Sequence, residues 1–270
     1  MRMYAYIAIA ILLAYVPSAP LHAQDRSAKD LMADTLKMEL NALRSAEHVS
    51  FTAQEKSNRT GQHVWTEKVV SFEEGTIRRL QSIDGQPLSA PQKLAEDRRI
   101  EKLLSHPAEL KKSQRALQEE DVPLLEKFMQ AVTDTLLFSY DGDKGGCAGV
   151  RFWPNPSFMP SGYQARIVHS LEGIVYISRQ YHRICEVEGH NVVAVQIGYG
   201  LIGKLDHGEF HIVWAPTSAG VWEVNSSSVH LAGKAMMVKN ISEDSLEIRT
   251  EVGDLPAHLT ARQAADLTLP

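Results

Sequence analysis

Glu209-Phe210-His211-Ile212-Val213-Trp214 alternates polar with apolar side chains, so Phe210, Ile212 and Trp214 fall on one face of a strand. His207, Glu209 and His211 then share the opposite face. The stretch decides the fold because its surroundings repeat its character. Leu136–Tyr140, Cys147–Trp153, Gly173–Ser178, His182–Glu188 and Asn191–Ile197 precede it as strands, and Val221–Leu231, Ala235–Lys239 and Ser245–Val252 follow. Asp-Gly, Gly-Gly and Asn-Pro pairs punctuate the run, which is the chemistry tight turns require. No crossover helix is read between these strands, so they are expected to run antiparallel.

Working outward, Val49–Gln54, Trp65–Phe72 and Thr76–Ile83 read as a three-stranded meander. Ahead of it, Ser27–Glu47 reads as a helix whose Ala28, Leu31, Met32, Thr35, Leu36, Leu40 and Leu43 recur at spacings of three and four. Between the two strand regions the period switches. Residues 91–132 form a charged helical insertion, in which Asp121 is a good cap and Leu124, Leu125, Phe128, Met129 and Val132 make an apolar face. The fold class expected is α+β: one strongly curved antiparallel sheet, with helices covering its concave face. One domain spans 24–255, and the weakly patterned residues 256–270 read as a flexible tail.

The first residues set the compartment. Arg2 precedes an apolar run to Val16, and small residues close at Ala23, so residues 1–23 read as an export signal. The expected location is periplasmic or secreted, where nucleotide cofactors are scarce and disulfides are allowed. The chain carries 28 Lys+Arg against 33 Asp+Glu, a formal charge of −5. Losing Arg2 with the signal makes it more acidic, so no basic field exists for nucleic acid. No second apolar run is long enough for a transmembrane helix. Cys147 and Cys185 are the only cysteines. They are either one disulfide or two separate buried thiols.

Motifs for catalysis are thin. Gly198-Tyr199-Gly200-Leu201-Ile202-Gly203 matches a dinucleotide fingerprint, but a strand pattern follows where a helix N-terminus is needed, so a hairpin is expected. His207, Glu209 and His211 offer metal donors along one strand face. A strand alone rarely closes a tetrahedral site, and His169, His182 or His230 would have to add a third element. The expectation is a solvated polar face with no metal. Asp141-Gly142-Asp143 lacks the Glu a calcium loop needs at its end and reads as a turn. No nucleophile motif of the hydrolase types occurs. The chain is therefore expected to be no enzyme and to need no cofactor.

The order helix, meander, helical insertion, long meander resembles the lipoprotein-carrier (LolA/LolB-like) fold of bacterial envelopes. Val150-Arg151-Phe152-Trp153-Pro154, Glu172-Gly173-Ile174-Val175-Tyr176 and Val221-Trp222-Glu223-Val224 are similar to secreted outer-membrane lipoprotein-sorting-like proteins without assigned activity. The resemblance implies an unclosed barrel with a helical lid, and a hydrophobic ligand or an envelope protein as partner. Leu36, Leu40, Leu43, Phe128, Met129, Phe152 and Trp214 are expected to line a ligand cavity. Phe158, Met159 and Tyr163, on a proline-rich loop, are expected at its rim or in a partner-docking patch.

Overall fold

The structure is a computed structural model that describes residues 27–43, 48–116, 122–197, 203–218, 220–235 and 239–270. The export-signal reading of residues 1–23 lies outside the described residues. Among the described residues six helices and twelve strands follow in order: α1 Ala28–Leu43, β1 Val49–Ser57, β2 Trp65–Phe72, β3 Gly75–Ile83, β4 Gln86–Pro87, α2 Ala90–Ser105, α3 Pro107–Ala116 and α4 Val122–Thr135. Then come β5 Leu136–Lys144, β6 Cys147–Pro154, α5 Tyr163–Val168, β7 Leu171–Ser178, β8 Ile184–Asn191, β9 Val195–Ile197, β10 Gly203–Pro216, β11 Trp222–Ala235, β12 Lys239–Asp254 and α6 Ala261–Asp266.

All strands join one curved antiparallel sheet, ordered β4-β3-β2-β1-β12-β11-β10-β8-β7-β6-β5, with β9 on β10. The ends β4 and β5 do not meet, so the sheet is unclosed, as expected. The N-terminal meander is joined to the C-terminal one by pairing of β1 with β12. The expected separate strand at Ala235–Lys239 is instead the end of a long hairpin, where Ala235 of β11 pairs with Lys239 of β12.

Directly paired residues point to the same side of a sheet, so each face can be followed from strand to strand. One row on the first face reads Phe152, Gly173, Gly189, Phe210, Val229. The row beside it reads Val150, Val175, Val187, Ile212, Ser227, Glu247, Glu55. Arg151, Ile174, Glu188, His211, Ser228 and Leu246 occupy the opposite face.

The helices divide between these faces. Ala28, Leu31, Met32 and Leu36 of α1 pack with Val150, Phe152, Val175 and Ile177 on the Phe152 face, and Phe128, Met129 and Val132 of α4 close the edge of that core. Ile100 of α2, Leu110 of α3 and Ala264 and Ala265 of α6 pack on Val70, Phe72 and Ile77, which belong to the Arg151 face. β2 is thereby enclosed on both sides: Val69 and Val70 point opposite ways and neither is exposed.

Local chemistry starts the helices. The Ser27 hydroxyl accepts the Asp30 N–H at 3.1 Å, and the Gln92 side chain returns to the Ser89 N–H at 2.9 Å. The C-terminal segment is not the flexible tail its weak pattern suggests. Thr260 and Gln263 form a capping box for α6, and Ala264, Ala265 and Thr268 are buried. Their small side chains carry little hydrophobic signal yet allow close approach to β2 and α2. No described helix is long and apolar enough to cross a membrane.

Candidate functional site

The middle of the sheet, β8, β10 and β11, presents two chemically different faces. On the Phe152 face, Gly173 and Gly189 stand paired between Phe152 and Phe210. A Cβ at Gly173 would sit 2.8 Å from the tip of Phe152, and one at Gly189 would sit 2.9 Å from the tip of Phe210. The two glycines let both rings lie over bare backbone. Phe152 is buried, but Phe210, Ile212 and Trp214 on β10 and Val229 and Leu231 on β11 remain half-exposed. Phe210 still packs against the core that α1, α4 and α5 cover at β5–β7.

Beyond that apolar strip the same face becomes ionic. Glu55, Glu67, Glu223 and Glu247 are buried, and Arg59, Arg78 and Arg249 serve them. Arg78 Nε donates to Glu67 at 2.7 Å and its Nη2 to Glu247 at 2.9 Å. Arg249 Nε donates to the other Glu247 oxygen at 2.7 Å, and its guanidinium lies 4.4 Å from the Phe51 ring centre. The hydrogen bond from Arg59 holds the Glu55 carboxyl below the usual carboxylate range. Burial pushes the Glu247 carboxyl up, and Arg249 and Arg78 together outweigh it, so the net shift is downward. Glu223 Oε1 is buried without a hydrogen-bond partner among the described residues.

The Arg151 face carries histidines, each beside a carboxylate. His190 lies 3.2 Å from Glu172, His207 3.7 Å from Glu209, His211 2.9 Å from Glu186, and His230 bonds Asp244. An open groove of about 420 Å³ runs between Arg151, Glu188, His190, Glu209 and His211. Lys144 bridges both oxygens of Glu186 at 2.7 and 2.8 Å. Burial raises the Glu186 carboxyl, and the Lys144 and His211 hydrogen bonds outweigh that and lower it.

The expected cavity residues are distributed as follows. Leu36 and Phe152 are buried in one core, Phe128 and Met129 pack against it, and Leu40 is half-buried on α1. Trp214 lies further along β10 on the half-exposed strip. The side chain of Leu43 lies outside the description. On the rim loop, Phe158 lies tilted against His169 with ring centres 6.0 Å apart, Tyr163 meets Phe128 edge-on at 6.4 Å, and Met159 is 90% exposed. Tyr163 opens the short helix α5, stopped by the turn at His169.

Cys147 and Cys185 are bridged, with Cα atoms 6.7 Å apart. They lie on β6 and β8, on either side of β7. Tyr176 pairs Glu186 and Ile177 pairs Ile184, which leaves Cys185 as the extra residue of a bulge. The bulge re-aims the Cys185 side chain across the end of β7 toward Cys147.

Of the histidines named from sequence, His230 shares the face of His207, ring centres 5.5 Å apart. His169 Nε2 instead donates to the Asn155 carbonyl beneath the loop, 2.8 Å away, and His182 sits in the turn after β7 with φ 50°. The sequence reading missed Glu186 and Glu188, the two carboxylates that the register of β8 against β10 sets beside His211. Their signal was the i, i+2 spacing in a strand, which names a face but no partner. The glycine motif joins β9 to β10, where Ile197 pairs Gly203 antiparallel and a strand, not a helix, begins. Residues 198–202 of that motif lie outside the described residues. No family model, curated protein or solved structure matches the chain.

Proposed function

We propose that the protein is an exported, non-enzymatic binding protein that holds an amphiphile, a lipid or an acylated polypeptide, on the Phe152 face of β10 and β11. One observation carries this reading. A single row of the sheet passes from Val150, Val175 and Val187 near the helices, through half-exposed Ile212, to buried Glu247 and Glu55. An apolar strip that ends in an ionic network matches a molecule with an acyl tail and a polar head. The α1 helix borders the covered end of this face. Its Glu39 is clamped to the start of β8 by Arg183 at 2.9 and 3.2 Å and by the Ile184 N–H at 3.0 Å. Export rests on the signal-like residues 1–23, and the carrier resemblance on element order.

The test is lipid extraction and mass spectrometry of the full chain purified from an exporting host, with titration by a fluorescent long-chain fatty acid. Saturable uptake is expected. Ile212→Glu and Trp214→Glu should each weaken it at least about tenfold, because a carboxylate must be desolvated against the tail. Leu246→Glu, on the Arg151 face, should leave it unchanged. Absence of both co-purified lipid and saturable uptake rejects the reading.

Exposed Met159 favours a second reading, in which the Pro154–Tyr163 loop docks an envelope protein. A photo-crosslinker at position 159 that captures one discrete partner in the envelope supports it, and its failure to capture any rejects it.

A further inference from the structure

We infer that Glu186, Glu188 and His211 form a binding site for one divalent transition-metal ion, with zinc as the simplest case, on the Arg151 face of β8 and β10. The candidate donor atoms of these three residues all lie within 4.8 Å of one another. Two neighbouring strands supply them. Glu188 is paired directly opposite His211, and Glu186, two residues along, points to the same side. A site closed across strands escapes the weakness of the His207-Glu209-His211 row, whose donors stand along a single strand and point in parallel. The donor set, one imidazole nitrogen and two carboxylates, suits a borderline divalent ion with water in the remaining positions.

The present hydrogen bonding shows how an ion would enter. His211 Nε2 and Glu186 Oε1 are 2.9 Å apart, sharing one proton that a metal replaces. Glu188 is exposed and makes no ion pair within 4 Å among the described residues, so its carboxylate is available without breaking a contact. Tetrahedral zinc donors stand about 3.3 Å apart, and a rotamer change of exposed Glu188 supplies that closure. Glu209 and His190 line the groove beside the site.

Lys144 is the competitor. Its ammonium binds both oxygens of Glu186, and its side chain also lies 4.9 Å from the Tyr176 ring centre. More than half exposed, it withdraws into solvent when an ion arrives. The site therefore has a built-in cation that a divalent ion must outcompete.

The experiment is isothermal titration of tag-free, disulfide-intact full chain with zinc chloride in metal-free buffer near neutral pH. One equivalent per chain is expected. His211→Ala and Glu188→Gln should each weaken binding at least about tenfold, the usual scale for disturbing a metal site. Lys144→Gln should tighten binding, and His207→Ala should leave it within about twofold of the original. All four residues are surface groups, and circular dichroism of each variant checks the fold. Three results overturn the inference: no saturable binding, equal loss from His207→Ala and His211→Ala, which means a diffuse histidine patch, or weaker binding on removing Lys144.

Discussion

Glu55 of β1 and Glu247 of β12 stand directly opposite each other in the sheet, both buried, and Arg78 of β3 reaches across β2 to bind the two. Like charges in directly opposed positions destabilise a sheet. Here Arg78 lies 3.3 Å from Glu55 Oε2 and 2.9 Å from Glu247 Oε2, while Arg59 and Arg249 serve the outer oxygens. The network crosses the seam where the first meander meets the last strand. Because ions are costly to bury without partners, this register leaves the carboxylates satisfied and a slipped one would not.

Arg78→Met should therefore destabilise the fold by about 3 kcal/mol, since three buried carboxylates lose their shared cation. Urea unfolding measures it. Arg262→Met, which removes an exposed partner of Glu101, should leave the midpoint unmoved. Equal effects would mean that the seam network is merely superficial.

Acid should weaken the same seam. Glu55 titrates below the ordinary 4.5 because Arg59 bonds it, and Glu247 does so because Arg249 and Arg78 overcome its burial. Depressed folded values mean stability that is complete above the unfolded value of 4.5 and lost as pH falls through the folded ones. The urea midpoint should be level from neutrality to about pH 5 and then fall. Glu55→Gln should shallow that fall, and an unchanged slope would exclude Glu55 from it.

Reduction should cost more than a typical point mutation. The Cys147–Cys185 bridge closes a separation of 38 residues, for which chain entropy gives about 3–4 kcal/mol. Cys147→Ser should lower stability by that amount, and added reductant should then have no further effect. Persistent sensitivity to reductant in the variant would be inconsistent with a single bridge.

Gly173→Ala should destabilise by about 1–3 kcal/mol through overpacking. Its Cβ would meet the Glu188 carbonyl at 2.0 Å and Phe152 at 2.8 Å. Gly253→Ala, with its nearest neighbour 3.8 Å away, is the control. Thermal melts of the two variants separate a required close approach from a general preference for glycine.

Period and punctuation are local properties, and the chain states them openly. Alternation in Phe210-His211-Ile212-Val213-Trp214, the apolar stripe of α1 and the switch to helical spacing after Pro91 determined the strands, the leading helix, the helical insertion and the antiparallel α+β class. What alternation cannot state is register. A face names which residues travel together, and only pairing between distant strands decides whom they meet. The tertiary structure alone brought Glu186 and Glu188 to His211, set Glu55 against Glu247, and turned Cys185 through a bulge toward Cys147. It also sent α2, α3 and α6 to the side of the sheet opposite α1, α4 and α5, because Val70 and Ile77 as well as Val150 and Val175 needed covering. α6 itself was hidden for a related reason: Ala264 and Ala265 gain little from burial alone, and their value lies in the close contact that only the folded chain offers.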